Sequence, residues 1–126
     1  MLEGARLVAF AATTDAPRAA AFYTTVLGLK LRYEDDFAVS LDSEGVEVRL
    51  QKVERFDAQP FTTLGWQVAE ISGVAERLLQ HGVVPERYPW LDQDAMGVWQ
   101  APSGARVLWF RDPDGNLLSI AQYAAG

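Results

Sequence analysis

The chain has 126 residues, of which 49% are hydrophobic and 22% charged, and this composition excludes a disordered polypeptide. The lack of cysteine excludes disulfides, thiolate metal sites and cysteine nucleophiles, and the single histidine excludes a histidine-rich metal centre. A net charge of −6 disfavours nucleic acid and favours a cationic small molecule as partner. No run reaches the roughly eighteen apolar residues of a membrane span, and Met1–Phe10 lacks secretory-signal character, so we expect a cytoplasmic protein without a membrane partner.

The first half of the chain predicts a strand, a helix and three more strands. Arg6–Thr13 is a largely apolar segment typical of a buried strand, and Asp15 stands where a helix N-cap belongs. The helix carries apolar residues at helical spacing and ends at Gly28. Further strands are predicted at Leu29–Tyr33, Phe37–Leu41 and Val46–Val53.

The second half predicts the same order of elements. Thr62–Ala69 is a strand candidate, Ser72 is a candidate N-cap, and Gly82 ends the helix. The stretch Tyr88–Ala95 is additional to the order of the first half. Further strands are predicted at Val83–Arg87, Gly97–Gln100, Arg106–Arg111 and Leu117–Gln122.

The two halves form an internal repeat of about 55 residues. Gly28 and Gly82, which end the two predicted helices, are 54 positions apart. We therefore expect a single α+β domain over residues 1–126, built from two βαβββ modules at 1–56 and 57–126.

Two segments carry a family resemblance. Phe22–Leu29 (FYTTVLGL) resembles the helix exit of the vicinal oxygen chelate superfamily, and Trp109–Asn116 (WFRDPDGN) resembles its hairpin. This superfamily includes glyoxalase, fosfomycin-resistance, bleomycin-resistance and extradiol-dioxygenase families. The resemblance spans nearly the whole chain and implies that each module bends four strands into half of a barrel-like cup. It implies little about function, because the same scaffold hosts lyases, transferases, oxygenases and drug-binding proteins.

The resemblance also locates the metal-ligand positions of the family's enzymes. In those enzymes His, Glu or Gln from the first and last strand of each module hold a divalent ion. The positions fall here on Val8, Arg49, Thr63 and Ser119. Because hard divalent ions prefer carboxylate, imidazole or carbonyl ligands, we expect neither a metal nor another cofactor.

Alternation along the strands indicates which side chains face the cup. In Val46–Gln51, apolar residues alternate with polar ones, so Glu47 and Arg49 are predicted to lie on the cup side. The same reasoning places Gln67 and Ser119 on the cup side of the second module.

Each candidate ligand-binding residue has a functional and a structural interpretation. Arg49 could hold a carboxylate or phosphate, or could simply be neutralised by Glu47. Trp109 occupies the family's pocket-facing aromatic position and could stack on a planar or cationic ligand, or fill space left by the metal. Trp90 could form a lid or anchor its own loop. The predicted ligand-binding set is Glu47, Arg49, Gln67, Trp90, Trp109 and Ser119.

Three other polar residues are predicted to be structural. His81 falls at the end of the second helix, where a protonated imidazole would meet the negative end of the helix dipole. Asp112 and Asp114 belong to a D-P-D-G sequence that is typical of a turn.

These features favour a metal-free small-molecule binding protein that resembles the bleomycin-resistance branch and sequesters a cationic or aromatic compound. Paired acid and base groups are not evident, which disfavours catalysis. The alternative is a lyase, isomerase or dioxygenase that uses an atypical site around Arg49 and Glu47. A homodimer is expected because family chains of this length usually pair, and because the open edges of half-barrels favour a neighbouring strand.

Overall fold

A computed structural model describes residues 1–125 of the chain. The chain divides into two compact units, each with one four-stranded mixed sheet. The first unit comprises Met1–Ala58 together with Pro113–Asn116, and the second comprises Gln59–Asp112 and the residues from Leu117 onward. The α+β class predicted from the sequence is confirmed. Among the described residues, no helix has the length and apolar content needed to cross a membrane.

The first unit contains one mixed sheet and one short helix. The elements are β1 (Val8–Thr13), α1 (Ala16–Ala21), a π-helical segment (Phe22–Val26), β2 (Lys30–Glu34), β3 (Ala38–Ser43) and β4 (Val46–Lys52). In the sheet β1 runs parallel to β4, the other pairs are antiparallel, and the strand order is β1-β4-β3-β2.

Local side-chain chemistry explains where the first helix begins and ends. Asp15 caps α1, because its carboxylate accepts a hydrogen bond from the backbone N–H of Arg18 at 3.1 Å. The hydroxyl of Thr24, in the wider π-helical segment, donates to the carbonyl of Ala20 in α1 at 2.7 Å. Gly28 then adopts a φ of +79°, a conformation that glycine tolerates and that ends the helix as predicted.

The second unit repeats this topology with a shorter edge strand. The elements are β5 (Leu64–Gln67), α2 (Ile71–Gln80), β6 (Trp99–Gln100), β7 (Arg106–Arg111) and β8 (Leu117–Gln122). In the second sheet β5 runs parallel to β8, and the strand order is β5-β8-β7-β6.

Two local predictions for the second half are wrong. The N-cap of α2 is Glu70, whose carboxylate accepts from the backbone N–H of Ser72 at 2.8 Å, so Ser72 already lies inside the helix. Val83–Arg87 does not form a strand, although the N–H of Glu86 donates to the carbonyl of Trp109 at 2.8 Å. Pro85 removes a backbone donor from this segment, which disfavours a continuous ladder.

Burial alternates along β4 as the residue pattern predicts. In β4, Val48 and Leu50 are buried, whereas Glu47 and Arg49 lie on the opposite, partly exposed face. Helix α1 packs on β3 and β4, and α2 packs on β7 and β8. Each sheet therefore presents one face to its helix and leaves the other, its outer face, for polar and aromatic side chains.

Candidate ligand-binding site

A row of four side chains crosses the outer face of the first sheet. The strand register pairs Phe10 with Arg49, Arg49 with Ser40, and Ser40 with Tyr33. Residues paired across strands share a face of the sheet, so these four side chains are neighbours. Arg49, predicted from the sequence, therefore lies in the middle of the row.

Hydrogen bonds join part of this row to Glu47 in a polar cluster, which consists of Tyr33, Ser40, Glu47 and Arg49. The Ser40 hydroxyl donates to Glu47 Oε2 at 2.6 Å. Arg49 Nη1 donates to the Tyr33 hydroxyl at 2.7 Å and to Glu47 Oε2 at 3.3 Å. The Tyr33 hydroxyl also lies 3.5 Å from Glu47 Oε2. Ser40 is fully buried, whereas the Glu47 and Arg49 side chains are 20% and 23% exposed.

The polar cluster holds Glu47 and Arg49 in their charged forms. The hydroxyl of Ser40, and next the guanidinium of Arg49, lower the pKa of Glu47 below its ordinary value. The hydrogen bonds to Tyr33 and then to Glu47 raise the pKa of Arg49. The pairing of Arg49 with Glu47, one of the two interpretations from the sequence, is thus present at neutral pH.

The outer face of the second sheet brings together three of the predicted residues. Trp109 pairs with Ser119, which pairs with Gly65, and Gln67 lies on the same face two positions further along β5. A Cβ atom at Gly65 would lie only 2.7 Å from Ser119 Oγ, so a larger residue there would displace the serine. Trp99 reaches this face from the edge strand β6.

Four rings form a continuous aromatic row in the second unit: Trp90, Tyr88, Trp109 and Trp99. Their successive centroid distances are 5.1, 5.7 and 6.1 Å, within the range of favourable ring contacts. Trp90 is 76% exposed. Burial, and next the Glu86 carboxylate, raise the pKa of Tyr88, so its phenol stays neutral.

Of the four residues in this row, the sequence analysis named Trp90 and Trp109 as candidates but not Tyr88 and Trp99. The signal for Trp99 was available, because the predicted β6–β7 hairpin places it beside Trp109 on the same face. Tyr88 gave no comparable signal, since it lies in a segment without regular structure.

The additional stretch in the second half is an anchored loop. Gln93 Nε2 donates to the carbonyls of Glu86 and Gly97 at 2.9 Å each, and Gln93 Oε1 accepts from the N–H of Tyr88 at 2.8 Å. One side chain thus fixes both ends of the loop that carries Trp90. This anchoring gives the exposed ring a defined position within its unit.

The residues at the positions that the resemblance assigns to metal ligands do not fit a divalent ion. Val8 is aliphatic and offers no ligand atom. The guanidinium of Arg49 is cationic and already donates hydrogen bonds to Tyr33 and Glu47. Thr63 and Ser119 offer only hydroxyls, which are weaker ligands for a hard divalent ion than carboxylates. Within residues 1–125, no three His, Cys, Asp or Glu side chains converge in the way a metal site requires.

The strand register supports the correspondence between Arg49 and Ser119 that the repeat implies. Phe10 and Gly65 are 55 positions apart, and their partners across the parallel pair are Arg49 and Ser119. The two residues therefore occupy equivalent places in the two sheets.

Comparison with known proteins establishes the family. The model of the Glyoxalase/Bleomycin resistance protein/Dioxygenase superfamily matches residues 6–120, and the chain belongs to this superfamily. No curated protein sequence matches the chain.

Solved structures share the fold at low sequence identity. A glyoxalase/bleomycin resistance protein/dioxygenase from Alicyclobacillus acidocaldarius has 20% identity and a TM-score of 0.74, over 95% of this chain and 92% of that one. The fosfomycin resistance protein FosX from Listeria monocytogenes has 12% identity and a TM-score of 0.74, over 94% and 92%. Lactoylglutathione lyase from Agrobacterium tumefaciens has 17% identity and a TM-score of 0.72, over 94% and 93%. Because these proteins differ in activity, the likeness defines the fold and not the reaction.

Proposed function

We propose that the chain is a small-molecule binding protein that takes an aromatic or cationic compound and holds no metal at the family's ligand positions. The observation that carries the proposal is the aromatic row, which has a strongly exposed indole at one end. Exposed aromatic faces bind planar groups by stacking and cations through the ring quadrupole. The proposed ligand-binding residues are Glu47, Arg49, Gln67, Trp90, Trp109 and Ser119.

Charge supports a cationic compound among the possible ligands. The net charge of −6 raises the local concentration of cations around the protein. Asp92 and Asp94 are exposed and follow Trp90 closely in the anchored loop, so they add negative charge near the exposed ring.

The indole N–H groups of Trp90, Trp99 and Trp109 donate to none of the described residues, which leaves them available to hydrogen-bond acceptors of a ligand.

The polar cluster favours binding over catalysis. A general base works best when its pKa lies near the working pH, and the pKa of Glu47 is lowered instead. Glu47 already accepts hydrogen bonds from Ser40 and Arg49, so its negative charge stabilises the polar cluster. A lyase, isomerase or dioxygenase activity would therefore need a different group as its base.

Calorimetric titration with proflavine, a planar aromatic cation, tests the proposal. Replacement of Trp109 by alanine should weaken binding by roughly 0.5–2 kcal/mol, about two- to thirtyfold, because stacking and cation–π contact are lost. Trp90→Ala should act in the same direction and, since Trp90 is exposed, should leave the fold intact. Trp66→Phe is the matched control, because Trp66 shares the helix-side face of β5 with buried Leu64. Equal affinity in all four proteins, or no binding to the wild type, would refute the proposal.

We further propose a homodimer, as in family chains of similar length. Strand β2 lies at an edge of the first sheet, and every residue from Lys30 to Glu34 is exposed. An exposed edge of this kind favours pairing with another strand. The cytoplasmic location and the module boundary between residues 56 and 57 remain predictions from the sequence.

A further inference from the structure

We propose that Arg49 binds the carboxylate of an aromatic acid through its Nε and Nη2 atoms. The inference rests on the proposed small-molecule binding and adds an anionic group to what the protein recognises. It places the recognition on the first sheet, at the position where the family's enzymes carry a metal ligand. A fixed cationic donor there can polarise or hold a ligand oxygen without a metal.

The free edge of the guanidinium has the geometry that a carboxylate requires. Nη1 is the terminal nitrogen cis to Cδ, and it makes both hydrogen bonds of Arg49, to Tyr33 and to Glu47. Nε and Nη2 donate to none of the described residues. Their two N–H bonds are parallel and match the two oxygens of a carboxylate, which gives a bidentate interaction.

The surroundings of Arg49 hold this edge in place before a ligand binds. The Tyr33 hydroxyl lies 2.7 Å from Nη1, and the guanidinium carbon lies 6.0 Å from the centroid of the Tyr33 ring. Glu47 is in turn fixed by the buried hydroxyl of Ser40 at 2.6 Å. Because the side chain is already ordered, a ligand does not bear the entropic cost of immobilising it.

Glu47 leaves part of the guanidinium charge available. Its oxygen Oε2 is closer to the Ser40 hydroxyl, at 2.6 Å, than to Arg49 Nη1, at 3.3 Å. Among the described residues, the shortest hydrogen bond of Arg49 is to the Tyr33 hydroxyl, at 2.7 Å. The carboxylate of Glu47 is therefore shared between partners and lies on the Nη1 side of the guanidinium.

An apolar neighbour indicates that the acid is aromatic. Phe10 is the cross-strand partner of Arg49 on the outer face and is 52% exposed. A ring attached to a carboxylate that is bound at Nε and Nη2 could pack on Phe10, since cross-strand neighbours are within reach of an aromatic side chain. Benzoate combines both groups in the smallest form and is the probe of choice.

The test compares benzoate with benzamide, which has the same shape but no charge, by NMR titration at neutral pH. The wild type should bind benzoate at least about tenfold more tightly than benzamide, as expected for charge-assisted bidentate hydrogen bonds. The Arg49 Nε–Hε resonance should shift with benzoate only. Arg49→Gln should abolish the preference, and Arg49→Lys should reduce it although the charge is kept. Arg32→Gln, on the exposed edge strand of the same sheet, should retain it.

The outcomes separate this inference from the proposed function. Equal affinity for benzoate and benzamide, or an unchanged preference in Arg49→Gln, would overturn the inference whether or not proflavine binds. If proflavine does not bind but the Arg49-dependent preference for benzoate is present, the aromatic row is not a binding surface and the inference stands. Arg49→Lys retains the charge beside Glu47, so the comparison holds even if Arg49→Gln does not fold.

Discussion

Asp114 shows how one side chain in a turn can organise a distant helix start. The sequence predicted only a turn residue in the D-P-D-G segment. In the first unit, Asp114 Oδ1 accepts from the N–H and the hydroxyl of Thr14, both at 2.9 Å, and from Arg18 Nη2 at 3.2 Å. The Asp114 side chain is 1% exposed. Local sequence patterns could not predict these contacts, because Thr14 and Arg18 lie about a hundred positions from Asp114 in the chain.

Removal of the Asp114 carboxylate should destabilise the protein most when the pH lies above the pKa of Asp114. Burial alone would raise the pKa of Asp114, but hydrogen bonds from Thr14 and Thr13 and the charge of Arg18 lower it overall. The folded pKa is thus below the unfolded value of about 3.9, so the stabilisation is complete above about pH 4 and is lost as the pH falls through the folded pKa.

We predict that Asp114→Asn lowers the free energy of unfolding by about 2–3 kcal/mol at pH 7, because charge-assisted hydrogen bonds are replaced by weaker ones. The difference from wild type should shrink as the pH is lowered toward 3 in urea-denaturation experiments. Asp36→Asn is the control, since Asp36 is exposed and its side chain makes no hydrogen bond to any residue in 1–125. A difference that is constant from pH 7 to 3 would contradict the assignment.

At the scale of elements, the anchored loop depends on one amide. Gln93 satisfies two backbone carbonyls and one N–H through a single side chain. We predict that Gln93→Ala costs about 2 kcal/mol of stability, because three partly buried backbone groups lose their partners. The contact between Tyr88 and Trp90 should also loosen, which near-ultraviolet circular dichroism would detect. Gln100→Ala, at an exposed position of β6, should change neither property.

The strands show what a residue pattern can and cannot predict. Arg106–Arg111 and Leu117–Gln122 agree with the structure at both ends, because turn residues bound them and apolar residues alternate within them. Val83–Arg87 has apolar residues as well, but the edge of the sheet is occupied by β6 and the Glu86 carbonyl bonds to Gln93. Competition of this kind depends on tertiary contacts, which a local pattern does not contain.

The same distinction applies to the candidate site. Alternation correctly separated Glu47 and Arg49 from the buried residues of β4, which lie on the opposite face. Tyr33 and Ser40 were missed because their proximity to Arg49 depends on the register between three strands. Periodicity therefore predicts the face of a residue but not its lateral neighbours.

At the scale of the whole molecule, we predict that sedimentation at micromolar concentration gives twice the 13.9 kDa of one chain. Leu31→Lys should shift the protein toward the monomer, because Leu31 is exposed on the edge strand β2 and a lysine there disfavours strand pairing. Val84→Lys is the control at an equally apolar, exposed position outside the strands. A wild-type mass of 13.9 kDa would refute the dimer.

We also predict that protein purified without chelators carries no stoichiometric Ni, Zn, Mn, Fe or Mg. The reason is the donor set at the family's ligand positions, which includes a guanidinium and an aliphatic side chain. Elemental analysis checks the prediction, and one tightly bound divalent ion per chain would contradict it.

The assignment of Pro113–Asn116 to the first unit has a consequence for synthesis on the ribosome. Asn116 Nδ2 donates to the carbonyl of Ala12 at 2.8 Å across a separation of 104 residues. During translation, β1–β4 emerge early but lack Asp114 and Asn116 until most of the remaining chain has been made. Contacts of such long sequence separation slow folding. The nascent first half is therefore exposed to proteases and chaperones in an incomplete form until the turn arrives.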